Sequence, residues 1–282
     1  MSSTIVHSGT NGNLGPRYAY DYTYDSSVVS DKKKAAVVIL FVVGTAMSAN
    51  AYKDLAAKCV TGQSTVFVTV DNNPRVPIKL DGKQTADAFN DIAANVTERL
   101  GDFVSSSPAI FVGGHSAGGY SAIAAMQVNG GNLNFEPAGF IGADPLGGGD
   151  PLGISVNINT LKIDCPTFAI GFTVETCEVK LPDAGAAAYN VTTSSNRVMM
   201  QIQNPKDRGN QITHCIFAED GCLFCPSHEA GAWVRQVIGN FAILFVNSIV
   251  KGANTAKSQY ENATGDNKSL VNVFYGTETA TV

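Results

Sequence analysis

Gly114-His115-Ser116-Ala117-Gly118 follows an apolar run, Ala109 to Gly113, and opens a small-residue segment that continues to Met126. A serine set between glycines at such a junction fits a sharp strand-to-helix turn. The bend lifts the hydroxyl out, and the two glycines remove Cβ atoms that would meet neighbouring chain. The helix that starts there points its positive end at a reacting oxygen. A serine hydroxyl attacks a carbonyl when a base takes its proton, and histidine is the usual base because it titrates near neutrality. The pattern predicts nucleophilic acyl chemistry at Ser116, with the helix running from Ser116 to about Met126.

The chain holds four histidines. His7 lies in a polar N-terminal segment, and His115 adjoins the serine inside the turn, where its side chain is expected to point away from the hydroxyl. His214 and His228 remain. In a serine, acid, histidine order the base sits in the loop after the last strand. His214 follows the apolar segment Arg197 to Gln203 by about one loop, whereas His228 reads as the opening of a helix beside Glu229, so His214 is the preferred base. Asp144 closes the run Gly139 to Ala143 in Gly-Ala-Asp-Pro, and Glu175 follows the next run, Thr167 to Phe172. Position alone leaves these two acids equal. Charge developing on a substrate carbonyl needs two backbone donors, expected from the amides of Ala117 and of Thr45, with Ala46 next in line.

The elements that must position these residues alternate. Ala35 to Val43 and Ser64 to Val70 are continuous β-branched runs suited to strands covered on both faces. Ala51 to Cys59 and Thr85 to Leu100 have helical spacing, and His228 to Val250 is a long amphipathic helix. Arg17 to Asp25 carries Tyr18, Tyr20, Tyr22 and Tyr24 at period two, a strand near the sheet edge whose rings serve packing rather than ligand stacking. Strand, helix, strand repeated along 282 residues predicts an α/β chain: one domain, 1–282, with a mostly parallel central sheet, a polar segment at 1–15 and a loose polar tail at 252–282. The glycine-rich stretch Pro145 to Thr160 and Val179 to Asn196 read as mobile loops able to hold a substrate's alcohol group.

A net charge of −5 and a pI near 5.3 provide no basic stripe to follow a phosphate backbone, so nucleic acid is not expected as a partner. Lys32-Lys33-Lys34 before an apolar run mimics a signal peptide, but the run reads as a buried strand. Arg235, Gln236, Asn240 and Asn247 interrupt the last helix, which favours a core helix over a membrane span. Six cysteines and sequons at Asn95, Asn190, Asn262 and Asn267 hint at an oxidising compartment. A disulfide within the Cys215, Cys222, Cys225 loop, or between Cys165 and Cys177, is preferred to a zinc site built from that loop with His214 and His228. No cofactor and no metal are expected; compartment, membrane contact and oligomeric state are left open.

From Ala35 to Ala230 the chain resembles the chlorophyllases, which split the phytyl ester of chlorophyll into chlorophyllide and phytol. The resemblance rests on Ile39-Leu40-Phe41-Val42-Val43-Gly44, on Gly114-His115-Ser116-Ala117-Gly118-Gly119, on Ile141-Gly142-Ala143-Asp144-Pro145 and on His214. It implies the α/β-hydrolase fold with helices on both faces of the sheet, a catalytic Ser116, Asp144, His214 set acting through an acyl-enzyme, and an apolar ester as substrate. The separations of 28 positions from Ser116 to Asp144 and 70 from Asp144 to His214 are similar to that family's, which selects Asp144 over Glu175. The chain departs from the family at Ala117, where arginine is usual, and at Val43-Gly44, where His-Gly is usual. A general lipase or cutinase-like esterase, and a non-catalytic pigment or lipid carrier on the same fold, are the alternative expectations.

Overall fold

The computed structural model describes residues 4–10, 18–45, 47–71, 82–127, 133–145, 157–173, 184–203, 212–219 and 231–280. The described residues include the strands β1 (Thr4–Thr10), β2 (Ala19–Asp25), β3 (Ala35–Val42), β4 (Thr65–Asp71), β5 (Val104–Ser116), β6 (Gly139–Pro145), β7 (Thr167–Phe172), β8 (Arg197–Ile202) and β9 (Val271–Tyr275). They form one sheet in the order β1-β2-β4-β3-β5-β6-β7-β8-β9. From β4 through β8 every neighbouring pair is parallel. The pairs β1/β2, β2/β4 and β8/β9 are antiparallel. The chain is thus α/β with a mostly parallel sheet, as its alternating pattern predicts.

Side chains sort by strand alternation. Val37, Ile39 and Phe41 of β3 enter one core, joined by Leu55 and Ala56 of α1 (Lys53–Val60) and by Val237, Phe241 and Phe245 of α6 (Gly231–Val250). Val38, Leu40 and Val42 enter the other. There they meet α2 (Lys83–Ala94), α3 (Val96–Leu100), α4 (Ala117–Met126) and α5 (Ala184–Asn190) through Phe89, Ile92, Leu100, Ile123 and Tyr189. A run buried on both faces cannot alternate apolar with polar, which is why β3 reads as an unbroken β-branched stretch. Each fully buried Leu, Ile or Phe among these stabilises the fold by roughly 1.5–3 kcal/mol relative to exposure.

Several elements differ from their sequence-based expectation. The helix expected over 85–100 is two, because Asn95 (φ −120°, ψ 35°) breaks the turn and its side chain bonds back to the Asp91 carbonyl. The tail expected to be loose contains α7 (Lys257–Ala263) and β9, which closes the β8 edge. Tyr260 of α7 is buried 5.2 Å from the Phe241 ring. The N-terminal polar segment supplies β1, so the tyrosine strand β2 is one strand in from the edge. Part of the expected 179–196 loop is α5, whose Ala184, Ala186, Ala188 and Tyr189 are buried. Helix α6 is long and apolar enough to cross a membrane, but its buried side chains pack on the sheet as a core helix. Tyr18 and Tyr20 are buried in packing contacts, their ring centroids 5.8 Å apart.

Candidate active site

The sheet order reverses direction at β3: the chain steps out to β4, then returns to β5 on the other side. In parallel sheets such a switch opens a crevice beyond the carboxyl ends of the strands. Thr45 follows β3, Ser116 ends β5, and Asp144 lies near the end of β6, so three predicted site residues share that edge.

Ser116 and Asp144 are the non-glycine residues with positive φ among the described residues, at +54° and +42°. Such conformations cost of order 1–3 kcal/mol each and persist where surrounding structure forces them. At Ser116 the forcing is visible. A Cβ on Gly114 would come 2.6 Å from the Gly118 carbonyl carbon, and one on Gly118 would come 2.2 Å from the Val43 carbonyl oxygen. A Cβ on Gly119 would meet Pro145 at 2.7 Å. The turn is therefore wedged between the end of β3 and the residue after Asp144, and α4 begins immediately at Ala117. The backbone N–H of Ala117, in the first turn of α4, has no partner within that helix and can point at an anion.

At Asp144 the cause is a bulge. His115 pairs with Ala143 and Ser116 with Pro145, leaving Asp144 as the extra residue between them. A bulge re-aims the side chain of its extra residue. Here the Asp144 carboxylate, 6% exposed, meets the imidazole of His214, 8% exposed, with Oδ2 2.5 Å from Nδ1. An Nδ1–H bonded to a carboxylate leaves Nε2 as the acceptor, the tautomer a general base needs.

His214 opens a short 3-10 turn, His214–Phe217, which is tied down from outside. Arg235 of α6 donates to the Ile216 carbonyl (2.8 Å) and to the Asp54 carboxylate of α1 (2.6 Å). Glu219 in turn bonds the Ala51 carbonyl and the Asp54 amide. Cys215, next to the histidine, is in a disulfide. Its partner and the remaining loop cysteines lie outside the described residues. Cys165 is a free thiol, so the expected Cys165–Cys177 bridge is not formed. A disulfide-bonded Cys215 also removes one thiolate from the zinc alternative. Among the described residues no cluster of three His, Cys, Asp or Glu is suited to hold a metal. Glu175, His228 and Ala46 lie outside the described residues.

The structure thus brings Asp144 and His214 together, and Ser116 ends the neighbouring strand β5, paired with Pro145. The Ser116 hydroxyl makes no side-chain hydrogen bond among the described residues, and such bonds commonly tighten only when substrate is bound. His115 is buried, 1% exposed. It is not a bystander: its Nδ1 lies 2.7 Å from the Tyr52 hydroxyl and its Nε2 2.9 Å from the His214 carbonyl oxygen. Tyr52, in the 3-10 turn Ala49–Tyr52 before α1, was not legible as a site residue, because its partner lies 63 positions away. Compared with known families and with curated proteins, the chain matches no family model and no curated sequence.

Proposed function

We propose that the chain is a serine carboxylic ester hydrolase of the α/β-hydrolase fold. The observation that carries this reading is the Asp144–His214 pair, buried at the strand edge where Ser116 is held in a strained turn. In the proposed reaction the Ser116 hydroxyl adds to the ester carbonyl as His214 Nε2 takes its proton. Amides at Ala117 and Thr45 stabilise the oxyanion, since fixed donors aimed at developing charge supply much of the rate enhancement in acyl transfer. The C–O bond to the alcohol then breaks, the alcohol leaves with the proton from His214, and an acyl-serine remains. Water, deprotonated by the same imidazole, releases the acid and restores the serine. Asp144 keeps the imidazole oriented and offsets its charge while it is protonated.

For the substrate we propose an ester of a bulky apolar alcohol, with the phytyl ester of chlorophyll favoured. Its support is the resemblance in the elbow, the acid turn and the spacing to His214. Ala117 and Val43, where the chlorophyllases usually carry arginine and histidine, favour a second reading, a general lipase or cutinase-like esterase. Incubation with chlorophyll a and, separately, with short-chain and long-chain esters distinguishes the two. Chlorophyllide and phytol, absent with Ser116→Ala, are the expected products. Turnover of simple esters without chlorophyllide would retire the chlorophyll assignment in favour of the second reading. A folded protein that hydrolyses none of them would favour a non-catalytic carrier of pigment or lipid.

A further inference from the structure

Between the elbow and the base loop runs a hydrogen-bond chain whose direction can be worked out donor by donor. The His214 carbonyl oxygen can only accept, so the His115 Nε2 facing it at 2.9 Å carries a proton. Burial, followed by the neighbouring His214, pushes the His115 pKa well below its usual value, so the ring is neutral and Nδ1 is bare. A bare Nδ1 must receive the Tyr52 proton across 2.7 Å. The Tyr52 oxygen, having donated, accepts the Gly44 backbone N–H at 2.9 Å. Its contact with Met47 Sδ at 3.1 Å is then packing, because the hydroxyl has one proton. The chain reads Gly44 N–H to Tyr52 O–H to His115 N–H to O=C of His214, every dipole aligned, an order in which buried hydrogen bonds polarise one another.

Its two ends matter. Gly44 immediately precedes Thr45, whose amide is the second proposed oxyanion donor. His214 is the proposed base, and its ring lies 4.5 Å, centroid to centroid, from the His115 ring. The middle of the chain belongs to the residue next to Ser116. A Cβ at Gly44 would stand 2.8 Å from His115 Nδ1 and 3.3 Å from the Tyr52 oxygen, so glycine there is what lets the strand end reach the chain.

We infer that Tyr52 and His115 are positioning residues that lock the base loop and the oxyanion loop to the nucleophile's own strand, so that three segments distant in sequence hold one geometry. This deepens, and rests on, the hydrolase reading. A neutral His115 suits the role, because its ring faces an imidazole that becomes cationic during the reaction.

The test uses the full-length protein, with active sites counted by the burst of a chromogenic ester. Tyr52→Phe keeps the ring and removes the hydroxyl, and His115→Phe removes both imidazole contacts. Each is expected to lower kcat per titrated site about tenfold or more, with KM within about twofold, as misplacement of reacting groups does. The double variant is expected to be no worse than the stronger single, because the two act as one unit. His115→Gln, whose amide can still donate toward the His214 carbonyl, is expected to recover part of the loss. If His115→Phe does not fold, nitrogen-15 NMR of the wild-type histidines is decisive, the Nε2–H tautomer being expected at His115. An Nδ1–H tautomer, an unchanged kcat per site in Tyr52→Phe, or losses that multiply in the double variant would each overturn the inference while leaving the hydrolase reading intact. A wild-type protein that titrates no serine would overturn both.

Discussion

At the scale of single residues, the strained backbone and the acid–base pair carry the account. Asp144 fixes which imidazole nitrogen is free, so Asp144→Asn should leave the fold intact and lower kcat on an ester by roughly 10⁴-fold, the loss known when an acid of this type is neutralised. Circular dichroism beside steady-state kinetics checks both halves; a loss below about tenfold would mean that Asp144 is not the orienting acid. Gly118→Ala is a stability prediction. Its new methyl would stand 2.2 Å and 2.5 Å from the Val43 and Val42 carbonyl oxygens, which are backbone and cannot swing aside. A loss of about 3 kcal/mol or more is expected by urea denaturation, at the upper end for overpacking. Ser116 was legible because its glycines are consequences of local sterics that a sequence displays. The partnership of Tyr52 with His115 was not, since neither residue's neighbours in sequence reveal a contact made across the fold.

At the scale of elements, the ends of the chain differ most from their sequence-based reading. Val271-Asn272-Val273-Phe274-Tyr275 does alternate, with Val271 and Val273 buried, but the polar residues around it mask so short a signal. Because β9 covers the β8 edge and α7 packs on α6, removing residues 257–282 should expose that edge and the Phe241 face. The expected result is aggregation or a markedly lower urea midpoint. A truncated protein of unchanged stability would return this segment to the status of a tail. On the opposite side, Tyr18, immediately before β2, donates to Asp91 of α2 at 2.5 Å, and Arg99 of α3 pairs with the same carboxylate at 3.1 Å. Burial pushes the Asp91 pKa up, but the hydrogen bond from Tyr18 and the contacts with Arg99 outweigh it and hold the carboxyl below its usual value. A carboxyl depressed in the folded state stabilises the protein above its unfolded pKa, about 4, and that contribution is lost as pH falls through the lower folded value. The unfolding free energy should therefore drop below about pH 4, and Asp91→Asn should flatten the drop while costing about 1–3 kcal/mol near neutrality. Identical pH dependence in the two proteins would remove Asp91 from that role.

At the scale of the whole molecule, the α/β class followed from runs of β-branched residues separated by helical spacing, because a parallel sheet buried on both faces leaves that imprint. The strand order was not written there: nothing local in β3 says that β4 lies on one side and β5 on the other. Yet that reversal is what gathers Thr45, Ser116 and Asp144 at one edge, and the base arrives from 70 positions beyond the acid. The proposed function requires this assembled edge to activate one serine. It is tested most directly by treating folded protein with a serine-directed phosphonate and locating the adduct by mass spectrometry. A single adduct on Ser116 is expected, absent from Ser116→Ala and formed at least about a hundredfold more slowly in His214→Ala. Folded protein that stays unlabelled at Ser116, or that labels as fast without the His214 imidazole, would contradict it.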